Sequence, residues 1–257
     1  MQTVKKAAMA KPRDLPPPPR ALLDDASLFL DFDGTLVELA ERPEAVAVDA
    51  ALTGLLDRLA ERLRGRVALV SGRSIQQLDG FLEGTGATLG LVGSHGAETR
   101  LPGGAIVRPE RPASLDEAAR LFADSFGGRD GVVIEAKSLG VGIHYRLDPS
   151  VQDEAHALAQ AFAAANDLEV QHGKMMVELR LPGHDKGSAI AALMGRAPFA
   201  GHPPVFLGDD LTDEPGFVAC ARHDGAGVLV GDARDTAARY RLRDVAAVHL
   251  WLAGMPE

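Results

Sequence analysis

Five short runs of unbroken apolar residues limit what this chain can fold into: residues 28–30, 67–70, 89–92, 205–207 and 228–230. Continuous rather than alternating apolar residues suit strands covered on both faces, as in parallel sheets. Leu52, Leu55, Leu56, Leu59 and Leu63 recur at helical spacing between the first two runs, and residues 186–194 form a helix-favouring stretch before the fourth. The pattern predicts a doubly wound, Rossmann-like α/β core, in which ligands bind at the carboxyl ends of the strands.

Those ends carry the chemistry. The first run empties into Asp31-Phe32-Asp33-Gly34-Thr35-Leu36, the second into Ser71-Gly72-Arg73, and the fourth into Gly208-Asp209-Asp210-Leu211-Thr212-Asp213-Glu214. Lys186-Gly187 opens the alanine-rich helix. Two carboxylates two residues apart suit phosphoryl transfer through an aspartyl-phosphate, one attacking phosphorus and the other handling protons on the leaving oxygen. Asp-Gly alone is a common turn. Each motif is weak by itself, and it is their order and placement that carry weight.

Between the third and fourth runs the rhythm changes. Ser114-Leu115-Asp116-Glu117 reads as a capping box starting a helix. Runs at 132–136 and 139–147 follow, then a helix capped by Asp148 with Pro149 in its first turn, then runs at 168–171 and 174–181. The order αββαββ describes a small open sheet with both helices on one face. Ile134, Ala136, Val141, Ile143, Tyr145, Met175, Val177 and Leu179 share the parity that packs against helices. The opposite parity carries Glu135, Lys137, His144, Arg146, Lys174, Met176, Glu178 and Arg180. Such a face is either solvated or the gripping face of a cap, and a phosphoryl-transfer cleft that needs a lid favours the cap. The expected division is a flexible proline-rich tail over residues 1–24, a core over 25–107 and 183–257, and a cap over 108–182.

The net charge of −9 argues against a nucleic-acid partner. No uncharged stretch reaches the roughly 18 residues of a membrane span. The first 20 residues have no apolar signal core, and Cys220, the single cysteine, allows no intrachain disulfide. The expectation is a cytoplasmic monomer acting on a small molecule. No Gly-x-Gly-x-x-Gly follows the first run, which excludes a dinucleotide-binding reading.

The Asp pair, the hydroxyl, the lysine and the acidic cluster together resemble the four motifs of the haloacid dehalogenase superfamily of phosphotransferases. Gly93-Ser94-His95-Gly96-Ala97-Glu98, Glu135-Ala136-Lys137, His144-Tyr145-Arg146, residues 173–178 and the 208–214 ending together resemble the trehalose-6-phosphate phosphatases, over about residues 26 to 251. The resemblance implies that Asp31 is the nucleophile and Asp33 the general acid and base. It also implies Mg²⁺ held by the Asp31 carboxylate, the Asp33 carbonyl and Asp209. Ser71 is expected to bond a phosphoryl oxygen, Lys186 to neutralise transition-state charge, and backbone N–H groups after Asp33, freed by Gly34, to complete the cradle. Glu135, Lys137, Lys174 and Glu178 are expected to hold the distal glucose, with His144 and Arg146 on the same face. His95 and Glu98 are placed near the site by resemblance alone.

Some assignments stay open. Asp210 and Asp213 either orient metal-bound water or cap and hold the loop, and Arg73 either touches phosphate or is a surface arginine after a strand. The family often has proline three residues after the glutamate matching Glu178. Here Leu181 stands there and Pro182 follows. The implied activity is hydrolysis of trehalose 6-phosphate, the last step of trehalose biosynthesis. Related phosphatases acting on sucrose 6-phosphate, mannosyl-3-phosphoglycerate or glucosylglycerol phosphate are the alternatives, and a non-catalytic sugar-phosphate sensor is a further one from another class.

Overall fold

The computed structural model describes residues 14–40, 45–82 and 84–254. Its main sheet has seven strands in the order β11-β10-β9-β1-β2-β3-β4. These are β1 (Ser27–Leu30), β2 (Val67–Val70), β3 (Gly90–Gly93), β4 (Glu98–Arg100), β9 (Pro204–Gly208), β10 (Ala226–Val230) and β11 (Tyr240–Leu242). Every pairing in it is parallel except β3 with β4.

The apolar runs are continuous because each strand is buried on both faces. Leu28, Leu30, Val67, Leu69, Val205 and Leu207 pack in one cluster with α1 (Ala50–Arg62), α2 (Ile75–Leu82) and α7 (Val245–Ala253). Phe29, Ala68, Val70 and Phe206 point the other way, against α5 (Lys186–Met194) and α6 (Glu214–Arg222). The middle strand β1 pairs with both β2 and β9, so Asp31, Ser71 and Asp209 emerge side by side at the carboxyl edge.

The second sheet is antiparallel in the order β5-β6-β8-β7, from β5 (Val133–Ala136), β6 (Gly140–His144), β7 (Glu169–Gly173) and β8 (Met176–Arg180). Its helices α3 (Ala113–Phe126) and α4 (Gln152–Asn166) cover one face through Phe122, Phe126, Ala155 and Ala159, packed on Val141, Ile143, Val177 and Leu179. Asp148 caps the lead-in to α4 through Ser150 N–H.

Three expectations are corrected. The capping box at Ser114 does not form: α3 starts at Ala113 behind Pro112, with no side-chain cap, so Ser114 already lies inside the first turn. Ala136 is exposed rather than packed against helices, because it ends the edge strand β5. The loose tail does not extend to residue 24. Trp251 Nε1 donates to Pro18 O at 3.0 Å, Arg241 N donates to Pro16 O at 3.0 Å, and Leu23 is buried. The rest of that expectation, residues 1–13, lies outside the described residues. Among the described residues no helix is long and apolar enough to cross a membrane.

Candidate active site

Asp31 leaves β1 into the cleft between the two sheets, almost wholly buried. Its Oδ1 accepts from Lys186 Nζ at 2.7 Å, and Thr35 Oγ1 reaches its Oδ2 at 3.4 Å. Lys186, the first residue of α5, donates also to Asp213 Oδ1 at 2.6 Å. The other Asp213 oxygen takes the Asp210 backbone N–H at 2.9 Å. Asp213 therefore both closes its loop and shares the lysine.

Asp31, Asp209 and Asp213 offer carboxylate oxygens within 4.8 Å of one another. Burial holds the Asp31 carboxyl well above the usual carboxylate range, with Asp213 and Asp209 adding to it against the opposing Lys186 charge. Burial likewise raises Asp209, against the opposing contact of Lys174. Lys186 moves the other way: burial disfavours its charge, yet Asp213 and Asp31 together raise its pKa above the ordinary lysine value. Asp31 and Asp213 share the fully buried Lys186 ammonium, and Asp209 meets the more exposed Lys174, so three carboxylates face two ammoniums. The remaining negative charge, on hard oxygen donors, fits a divalent cation.

Arg73 grips Asp33 through two parallel hydrogen bonds of 2.7 Å and lies over the Phe81 ring. It is buried and part of the cleft wall, not a surface arginine. Ser71 is buried in the same wall, its Oγ accepting from Arg73 N–H at 3.1 Å. Gly34 differs from expectation. Its N–H is spent on Val37 O at 2.7 Å, closing the turn, so it is no open donor. Its contribution is conformational: φ is +84°, and a Cβ there would stand 2.4 Å from Asp209 Oδ2.

The cap supplies the opposite wall. Glu135, Lys137, His144, Arg146, Lys174 and Glu178 all line the cleft, and so do Asp210 and His95 from the core. On that face the Glu135, Lys137 and Glu178 side chains are withdrawn from solvent, while Lys174 stays exposed. Glu178, only 1% exposed, is paired with Lys137, and His95 Nε2 is 3.8 Å away. Burial opposes its ionisation, but Lys137 and His95 prevail and hold its pKa at about 2. Glu135 is also held at about 2, burial being overcome by the His144 hydrogen bond and by Lys137. Lys174 lies against Asp209, joining cap to core directly.

His95 and its neighbour Ser94 adopt left-handed backbone, φ +56° and +48°, an arrangement costly outside glycine. It lays the imidazole over Gly72, where a Cβ would meet Nε2 at 2.5 Å. Burial lowers the His95 pKa, with Glu178 opposing. Glu98 is buried behind the site, accepting from Ile75 N–H at 2.8 Å and meeting Arg108 at 3.2 Å. Gln77 is a contact the sequence reading missed: its Nε2 donates to Glu135 Oε1 at 2.6 Å. The spacing of Ser74-Ile75-Gln76-Gln77 is that of a capping box, which marks a helix start but does not name Glu135 as the partner of Gln77.

A mostly parallel sheet presenting a buried aspartate at its middle strand, beneath an inserted α+β cap, is the capped haloacid dehalogenase fold. Comparison with known proteins is specific within that class. The chain belongs to the trehalose-phosphatase family, which it matches over residues 29–246, and it is a phosphoric monoester hydrolase. A probable trehalose-phosphate phosphatase of Sinorhizobium fredii is 40% identical over 211 residues, 81% of this chain and 79% of that one. The trehalose-6-phosphate phosphatase of Escherichia coli is 39% identical over 227 residues, 87% and 84% of the two chains. A solved trehalose-6-phosphate phosphatase related protein superposes with a TM-score of 0.70 at 30% identity, covering 88% of this chain and 95% of its own.

Proposed function

We propose that this chain hydrolyses trehalose 6-phosphate to trehalose and inorganic phosphate, the last step of trehalose biosynthesis, through an aspartyl-phosphate on Asp31. The observation that carries this reading is the shared cleft. A buried aspartate held by a lysine lies on one wall, and a cluster of carboxylates and ammoniums lies on the other.

Asp31 attacks phosphorus as the bond from phosphorus to the sugar oxygen breaks, and the Asp33 carboxyl gives its proton to that oxygen. A water then attacks phosphorus, the bond to Asp31 breaks, and Asp33 takes the water's proton. Arg73 now holds the Asp33 carboxylate, and its fork matches a phosphoryl group equally well, so moving onto the substrate phosphate leaves Asp33 free to carry the proton it donates. Ser71 bonds a phosphoryl oxygen, and Lys186 faces the charge that grows in the transition state. The carboxylates of Asp31 and Asp209 with the Asp33 carbonyl would hold Mg²⁺, which would neutralise the phosphate charge. Asp213 supports Lys186, and Asp210 supports the loop. In the cap, Glu135, Lys137, Lys174 and Glu178 accept from and donate to hydroxyls of the distal glucose. His144 orients Glu135, while Arg146 and His95 complete the polar lining.

The test is phosphate release with Mg²⁺ on trehalose 6-phosphate, sucrose 6-phosphate, glucose 6-phosphate, mannosyl-3-phosphoglycerate and glucosylglycerol phosphate, with Asp31→Asn as control. Preference for trehalose 6-phosphate, abolished by the substitution, is the expected result. Preference for another ester would replace the sugar and keep the chemistry. No hydrolysis of any would overturn the reading in favour of a sugar-phosphate sensor.

A further inference from the structure

Gln77 joins the phosphate side of the cleft to its sugar side. At the start of α2, Ser74 Oγ accepts the Gln77 N–H at 3.2 Å, and Gln77 Oε1 accepts the Ser74 N–H at 2.9 Å. A backbone N–H can only donate, so the oxygen end of the amide is fixed at Ser74 and the NH₂ end is left for Glu135. Nε2 meets Glu135 Oε1 at 2.6 Å, while His144 Nε2 holds the other carboxylate oxygen at 2.7 Å. The segment leading to Gln77 carries Ser71, Arg73 and the Gly72 carbonyl, which accepts from Lys137 Nζ at 3.3 Å.

We propose that Gln77 is a positioning residue for sugar selectivity: from the core it clamps the cap carboxylate Glu135 in the orientation that receives sugar hydroxyls. The inference rests on the reading that Glu135 takes those hydroxyls. A carboxylate has about four acceptor positions. Two are used by Gln77 and His144, and the rest remain for a ligand in the cleft that Glu135 lines. Because the clamp crosses from core to cap, it is made only when the cap is down. It therefore ties sugar recognition to closure over the phosphate.

Gln77→Glu separates this role from simple helix capping. A glutamate keeps the acceptor for Ser74 N–H, so a capping role leaves the enzyme near wild type. It replaces the donor facing Glu135 with a second carboxylate, so a clamp is broken. The expected result is that kcat/KM for the preferred sugar phosphate falls about tenfold more than kcat/KM for p-nitrophenyl phosphate, mostly through KM. The deficit relative to wild type should shrink as the pH is lowered and the introduced carboxyl takes up a proton. Equal losses on both esters, or none, would overturn the proposal. A double-mutant cycle of Gln77→Ala and Glu135→Ala on Tm reads the contact without substrate. A non-additive shift is expected, and additivity would also overturn it. If wild type hydrolyses no sugar phosphate, the proposed function fails and the positioning role fails with it, whereas the cycle still reports whether the contact exists.

Discussion

Lys186 Nζ donates to Asp31 Oδ1 at 2.7 Å, with side-chain exposures of only 4% and 5%. Asp213 holds the same ammonium from the other side at 2.6 Å. Lys186 is therefore structural, beyond the chemical role proposed for it, and Lys186→Met tests both roles. Phosphate release should fall at least about 10²-fold. Stability at neutral pH should drop by about 3–5 kcal/mol, because two buried carboxylates lose their counter-charge. Asp31 already has a raised pKa, so acid relieves the variant by protonating it. Melting curves at pH 7.5 and pH 5.5 check this, and the deficit should be smaller at the lower pH. A constant deficit would mean that lost packing, not charge, is responsible.

The cap pair gives a different pH signature. Glu178 has its pKa lowered from 4.5 to about 2, despite burial, by Lys137 and His95. A lowered carboxyl pKa stabilises the fold above the unfolded-state value, and that stability is lost as the pH falls through the folded value. The stabilising contribution, on the order of 3 kcal/mol, should therefore disappear between about pH 4.5 and pH 2. Denaturant titrations of wild type and Glu178→Gln should show the variant with the shallower acid dependence over that range. Parallel curves would refute the assignment.

The sheet and much of the site were legible because both are encoded locally. Apolar runs 28–30 and 205–207 read as doubly covered strands, and Phe29 and Phe206 do face opposite to Leu28 and Leu207. Parity along 174–179 placed Glu178 opposite Val177 and Leu179, and these lie on the two faces of the cap sheet. What was not legible depends on distant partners. Gln77 meets Glu135 across 58 positions, and Trp251 meets Pro18 across 233, with nothing in either local pattern naming the other. The N–H groups after Asp33 were expected to stand free for the cradle, and nothing in the local sequence shows that Val37 takes the one on Gly34. The short strands β4 and β11 have too few residues to show a period.

Gly34 offers a test of the metal site that does not depend on turnover. Its φ of +84° penalises any side chain, and a Cβ would stand 2.4 Å from Asp209 Oδ2. Gly183, with φ of +78° and no heavy atom within 4 Å of a Cβ, isolates the backbone cost. Both alanine variants should lose about 1–2 kcal/mol from the left-handed conformation. Only Gly34→Ala should also displace Asp209 and weaken Mg²⁺ binding measured calorimetrically. Equal Mg²⁺ affinities in the two variants would remove Asp209 from the proposed ligand set.

Glu178 tests whether the cap selects the sugar. It lies in the cleft wall with Lys137 between it and Glu135, the ammonium 3.9 Å from Glu135 Oε2. A site built from buried charged groups discriminates strongly, because a ligand lacking the matching hydroxyls leaves those groups unpaired. Glu178→Gln keeps the shape and reduces acceptor strength. Glu178→Ala also strips Lys137 of its closest partner, so its folding must be checked by Tm. In both variants kcat/KM for trehalose 6-phosphate should fall about 10- to 100-fold further than that for p-nitrophenyl phosphate, which reaches the core residues without needing the cap. The alanine variant should be the worse of the two. Proportional losses on both esters would place Glu178 in the scaffold of the cleft rather than in recognition of the sugar.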